Sequence, residues 1–167
     1  MASGPTIDWL VHPAFEGRIG LTHCPGGRVG PFDAELAEIQ ASGASALVTL
    51  VEGEELTFLG VPSLGELAEA AGLAWYHLPI VDFGVPDSAF ERRWAAAGPE
   101  ILERLRAGEA VVIHCYAGLG RTGMVAARLL VDAGEVPRQA MRLVRKARRG
   151  AIQNVEQERW VLGLRPA

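Results

Sequence analysis

The chain has 167 residues, 49% of them apolar and 22% charged, with a net charge of −4. That is the balance of an ordinary globular protein, long enough to bury a core and read as a single domain over 1–167. The mild negative charge gives no electrostatic basis for bulk nucleic-acid binding, no apolar run reaches the length of a membrane span, and two cysteines do not make a disulfide framework.

Met1 to Pro5 reads as a flexible start without the basic and apolar segments of a signal peptide, so a cytoplasmic location is expected. Ile7 to Val11 and Arg18 to Thr22 are short strand candidates, the second closed by the turn Cys24-Pro25-Gly26-Gly27. Cys24 reads as a half-buried loop thiol; the alternative is a resolving thiol for an oxidised partner. Asp33 to Gln40 has helical spacing, with Asp33 as an N-cap, and Ala46 to Val51 is a buried strand. Glu52 to Val61 is acidic and irregular, with Leu56 and Phe58 expected inside. Ser63 to Glu66 has the capping-box pattern of a helix start, and Leu73 to Ile80 reads as a strand. A helix is expected from Pro86-Asp87-Ser88 through Trp94, with a second segment from Pro99 to Arg106. The strand Ala110 to His114 follows. Helices are then expected to Ala133, from Pro137 to about Arg149, and from Asn154 to Leu164. Alternating strands and helices predict an α/β fold with a central, mostly parallel sheet flanked by helices on both faces.

The chemistry concentrates where the last strand ends. Val111 to His114 runs into Cys115-Tyr116-Ala117-Gly118-Leu119-Gly120-Arg121-Thr122-Gly123 and then a helical pattern. Glycines at 118, 120 and 123 allow backbone turns that aim successive N–H groups inward. Such a ring at a helix N-terminus is an anion site, and Arg121 adds a planar fork that matches two phosphate oxygens. Cys115 lies in the same positive field, which favours the nucleophilic thiolate. The loop is therefore built to bind a phosphate-like dianion through Tyr116, Ala117, Gly118, Leu119, Gly120 and Arg121, and to attack it through Cys115.

His-Cys, five residues, then Arg-Thr-Gly resembles the signature loop of the cysteine-dependent tyrosine and dual-specificity phosphatases, and the stretch from His114 is most similar to the kinase-associated subgroup. The resemblance runs roughly from Gly17 to Leu164. It implies a tyrosine-phosphatase-like fold, a phosphocysteine intermediate, no cofactor and no metal. Asp82-Phe83-Gly84-Val85-Pro86 resembles the acid loop of that family, which implies Asp82 as general acid; Ile80-Val81 replace the Trp-Pro of the classical enzymes. Asp87 is better placed as a helix cap. The segment Ala151-Ile152-Gln153 resembles the part of the family that positions the hydrolytic water, which implies Gln153, with Gln157 second. Thr122 is the candidate hydroxyl donor to the leaving thiolate, and His114 is read as ordering the loop. Arg142, Arg145, Lys146, Arg148 and Arg149 form a basic run, read mostly as a solvated face. The expected partner is a phosphorylated protein or peptide, with no nucleic acid or membrane, and a monomer is expected. The alternatives are a phosphoinositide, inositol phosphate or 5′-phosphorylated RNA substrate, or a phosphate-binding module without turnover.

Overall fold

The structure is a computed structural model that describes residues 7–28 and 30–167; the start Met1 to Pro5 lies outside them. Among the described residues five strands form one sheet: β1 (Asp8–Leu10), β2 (Arg18–Thr22), β3 (Ala44–Thr49), β4 (Ala74–His77) and β5 (Ala110–His114). Their order is β1-β2-β5-β3-β4, with β1 antiparallel at one edge and every other pairing parallel. β5 is therefore central, between β2 and β3. Its apolar, β-branched run explains this: Val111, Val112 and Ile113 are fully buried, each burial stabilising by about 1.5–3 kcal/mol.

Among the described residues seven helices flank the sheet: α1 (Phe32–Ala41), α2 (Gly53–Phe58), α3 (Leu64–Ala70), α4 (Ser88–Arg106), α5 (Gly120–Asp132), α6 (Pro137–Ala147) and α7 (Val155–Leu162). The α/β architecture with helices on both faces is thus the one the alternation predicts. α5 is the buried centre of its layer. It packs on β2 and β5 below and against α6 and α7 above, and Met124, Val125, Leu129 and Leu130 are fully enclosed.

Several local expectations are corrected. The segment after β3 is not irregular: it forms α2, where the backbone N–H of Glu52 donates to Glu55 Oε2 at 2.7 Å. Leu56 packs inward as expected, but Phe58 is 89% exposed, because the helical turn carries it to the opposite side from Leu56. α1 is preceded by Pro31, and Asp33 lies in its first turn rather than at the cap. Ser63 precedes α3 but makes no side-chain cap bond. α4 is one continuous helix with Pro99 inside it. The carbonyl that a proline ring crowds belongs here to Ala95, with small neighbours Ala96, Ala97 and Gly98. The buried stripe Phe90, Trp94, Ala97, Ile101 and Leu105 continues across the proline and holds the helix together.

Candidate active site

Parallel pairing brings the carboxyl ends of β2, β3, β4 and β5 to one edge of the sheet, where ligands of such sheets bind. The loop Cys115 to Leu119 leaves β5 there and enters α5 at Gly120. Its shape follows from where its carbonyls go. Cys115 O accepts from His114 Nδ1 at 3.1 Å, Tyr116 O from the backbone N–H of Cys24 at 3.0 Å, and Ala117 O from Arg148 Nη2 at 3.0 Å. Leu119 O accepts from the N–H groups of Gly123 at 2.9 Å and Ile152 at 3.1 Å. In a trans peptide the N–H points opposite to the C=O. With the carbonyls drawn outward, the N–H groups of Tyr116, Ala117, Gly118 and Gly120 face the other way, into one cradle.

Two glycines make this possible. Gly118 has φ 74, and a Cβ there would collide with the carbonyl of Thr22. A Cβ on Gly120 would collide with the carboxamides of Gln153 and Gln157.

His114 is buried between strands and its tautomer is dictated by its partners. Nδ1 faces a carbonyl and must donate, so Nε2 accepts from the Thr49 hydroxyl at 2.7 Å, and that hydroxyl in turn accepts from Trp75 Nε1 at 2.8 Å. Burial is the main reason its pKa falls to about 4, so the ring is neutral and orders the loop as expected.

Arg121 opens α5 with a side chain only 2% exposed. Its Nη1 donates to Glu55 Oε2 at 2.8 Å and to the Ile80 carbonyl at 3.0 Å. Burial opposes its charge, but the hydrogen bond to Glu55 and the charges of Cys115, Glu55 and Asp82 outweigh it and hold the pKa above the ordinary arginine value. Nη2 lies 3.1 Å from Asp82 Oδ1 and makes no hydrogen bond among the described residues, which leaves that donor edge open to another oxygen. Cys115 is 3% exposed. Thr122 is fully buried, and its hydroxyl has no hydrogen-bond partner among the described residues.

Asp82 stands across the cradle on a tight turn closed by Gly84 N–H to Val81 O at 2.8 Å. Asp87 instead accepts from the Phe90 N–H at 2.8 Å and caps α4. Gln153 is exposed, with its carboxamide against Gly120; Gln157 is fully buried and accepts from the Gln153 N–H at 2.8 Å. The structure therefore brings Cys115, Arg121 and Asp82 together, with Gln153 against Gly120 of the same loop, and Thr122 follows Arg121 in the first turn of α5.

Sequence reasoning missed two supports. Glu55, whose helix was read as irregular, clamps Arg121; its spacing from Glu52 was the available signal. The basic run is only partly a solvated face. Arg142, Lys146 and Arg149 are exposed, but Arg145 bonds the carbonyls of Ala151 and Ile152, and Arg148 bonds those of Ala117 and Leu21 while paired with Asp8 at 3.0 Å. Cys24 is fully buried rather than half-buried. Burial first, then the charges of Cys115, Glu35 and Glu55, push its thiol up to about 12, which withholds the reactive thiolate.

An amide cradle with a thiol at its start and a buried guanidinium at its edge defines the class of cysteine-dependent phosphatases. Within that class, the chain belongs to the family described as polymorphic toxin system DSP-PTPase phosphatases, whose model matches residues 22–135. The cyclin-dependent kinase inhibitor 3 of Rattus norvegicus is 35% identical over 123 residues, covering 72% of this chain. The chain spans 57% of the length of that relative and of its Homo sapiens counterpart. Among solved structures, a kinase-associated phosphatase with its catalytic-site cysteine replaced by serine superposes with a TM-score of 0.86, at 28% identity over 96% of this chain and 94% of that one. Tk-PTP in its active form is 33% identical, with a TM-score of 0.69 over 91% of this chain and 95% of that one.

Proposed function

We propose that the chain works as one catalytic domain that hydrolyses phosphotyrosine and phosphoserine or phosphothreonine in proteins through a phosphocysteine intermediate. The observation that carries this reading is the outward anchoring of the loop carbonyls, which turns the opposing amides toward the space beside Cys115. Cys115 Sγ attacks phosphorus in line, while the amides of Tyr116 to Gly120 and the open edge of Arg121 hold the non-bridging oxygens. The incoming phosphate takes over Arg121 Nη2 from Asp82; released from that ion pair, the Asp82 carboxylate takes up a proton from solvent and gives it to the leaving oxygen. Water positioned by Gln153 then attacks the phosphocysteine with Asp82 as base, and the Thr122 hydroxyl supports the departing thiolate. The hydroxyl is buried and has no hydrogen-bond partner among the described residues, which suits this role.

A protein substrate is favoured by the mouth of the site. Glu55, Phe58, Leu59, Asp82 and Tyr116 line a cavity of about 190 Å³. Two carboxylates and three apolar side chains suit a phosphorylated side chain on a peptide and repel the additional phosphates of an inositol phosphate or RNA. A reducing cytoplasmic setting would keep Cys115 in its working form.

The test is turnover of phosphotyrosine, phosphoserine and phosphothreonine peptides beside phosphoinositides, with p-nitrophenyl phosphate as reference. Peptide turnover is expected, and Cys115→Ser should abolish it while retaining oxyanion binding. Persistent activity in that variant sinks the covalent mechanism, and preference for phosphoinositides overturns the substrate class.

A further inference from the structure

The turn that carries Asp82 is held from an unexpected direction. Val81 to Gly84 is a four-residue turn with Asp82 second and Phe83 third. Phe83 has φ 59, a left-handed conformation that a bulky side chain adopts only when its surroundings enforce it. The third position of a turn with φ positive there alone is one that glycine or asparagine normally fills.

The enforcement comes from α7. Asn154 precedes that helix, and its Oδ1 accepts from the Gln157 N–H at 2.9 Å, the ordinary N-cap bond. The other end of the same carboxamide reaches the turn: Nδ2 donates to the Phe83 carbonyl at 2.9 Å. Gln157 repeats the arrangement, donating from Nε2 to the Gly84 carbonyl at 3.2 Å while its Oε1 accepts from Gln153. Both carboxamides have their donor and acceptor ends assigned by these partners, since a carbonyl can only accept and an N–H can only donate. On the upstream side, the Ile80 carbonyl is tied to Arg121. Asp82 thus sits between two anchors. The downstream one is attached to the segment that carries Gln153.

We propose that Asn154 is a positioning residue for general acid catalysis: the side chain that caps α7 also straps the Phe83 carbonyl and so sets where the Asp82 carboxyl stands. This rests on the reading of Asp82 as the acid. The coupling also joins the acid turn to the Gln153 segment, so the two groups proposed for the second chemical step are registered through one helix start.

The two functions of Asn154 can be separated. Asn154→Asp keeps an N-cap oxygen, since aspartate caps as well as asparagine, but replaces the donor with an acceptor that faces a carbonyl. Asn154→Ser also keeps the cap and lacks the reach to the turn; it serves as the second variant should the first fail to fold. Each is compared with the parent and with Asp82→Asn on a phosphoserine peptide and on p-nitrophenyl phosphate, whose leaving group scarcely needs a proton. Asp82→Asn should slow peptide turnover by roughly a hundred- to ten-thousandfold and slow p-nitrophenyl phosphate far less. The Asn154 variants should show the same discrimination at a smaller size, ~10- to 100-fold on the peptide, with unchanged KM and an unchanged urea midpoint. If Asp82→Asn discriminates and the Asn154 variants do not, or slow both substrates equally, the strap is overturned and the acid assignment stands. If Asp82→Asn itself fails to discriminate, both fall.

Discussion

The phosphate loop and the acid turn lie at the same edge of the sheet and are held in opposite ways. The loop is gripped by groups from three distant parts of the chain, the Cys24 N–H, the Ile152 N–H and the Arg148 guanidinium, and by the buried ring of His114 just before it. The acid turn is an exposed segment, with Val81 58% and Phe83 62% exposed, held by a pair of carboxamides and by Arg121. The difference matches what the proposed mechanism asks of each part. A cradle for a dianion works by having its dipoles aimed before the substrate arrives, so any freedom there weakens it. In the proposed mechanism the acid must admit the substrate and then meet the leaving oxygen, and the Asp82 carboxyl is held by contacts that a substrate could replace, the pairing with Arg121 first among them.

Three further measurements press on that contrast, in falling order of effect. The first concerns the buried side. The His114 pKa is about 4 in the fold against 6.5 in the unfolded chain, so the unfolded state binds more protons between those values. The stability from a neutral His114 is therefore fully present above pH 6.5 and is lost as pH falls toward 4, by up to about 3 kcal/mol. Urea unfolding across this range should show a steeper fall for the parent than for His114→Ala; equal slopes would mean that burial does not lower the ring's pKa.

The second asks whether the cradle depends on its distant anchors. Arg148→Met keeps the aliphatic bulk but releases the Ala117 carbonyl, and the Gly118 N–H loses its aim. The expected loss is ~10- to 100-fold in kcat/KM on every substrate regardless of leaving group, with tungstate binding weakened in parallel. Leaving-group-dependent loss would instead place Arg148 with the acid turn and erase the contrast between the two regions.

The third and smallest tests whether the helix that follows the acid turn is separable from it. Asp87→Ala removes the α4 cap and should cost about 1 kcal/mol of stability by urea titration, with kcat near that of the parent. A large, leaving-group-dependent fall in kcat would make Asp87 the acid in place of Asp82.

Much of the site is legible in the sequence because its parts are local. A β-branched run, a cysteine, three glycines, an arginine and a helical pattern are contiguous from Val111 onward, and their order alone implies strand, cradle and helix. The same holds for Asp82 beside Gly84 and Pro86, and for Asp87 as a cap, since a cap is made within a few residues. The exposure of Phe58 and the unbroken helix around Pro99 are not legible in the sequence, for a related reason. An apolar residue does not state which face of a short helix it will occupy, and a proline does not state whether the helix around it is held by a buried stripe.

The sequence by itself determined which chemical groups the protein would offer in the proposed reaction, and that they would stand beyond the end of a buried strand. Only the tertiary structure decided how those groups are aimed. The direction of a loop N–H is set by where the opposing carbonyl finds a donor. Here the donors come from Cys24 beside β2, Arg148 beyond α6 and Ile152 before α7. The carbonyls of the acid turn likewise depend on Asn154 and Gln157, some 70 residues further along. Such pairs have no sequence spacing to betray them; they exist because parallel pairing sets β2 against β5 and because α5, α6 and α7 pack together, folding remote segments over the same sheet edge.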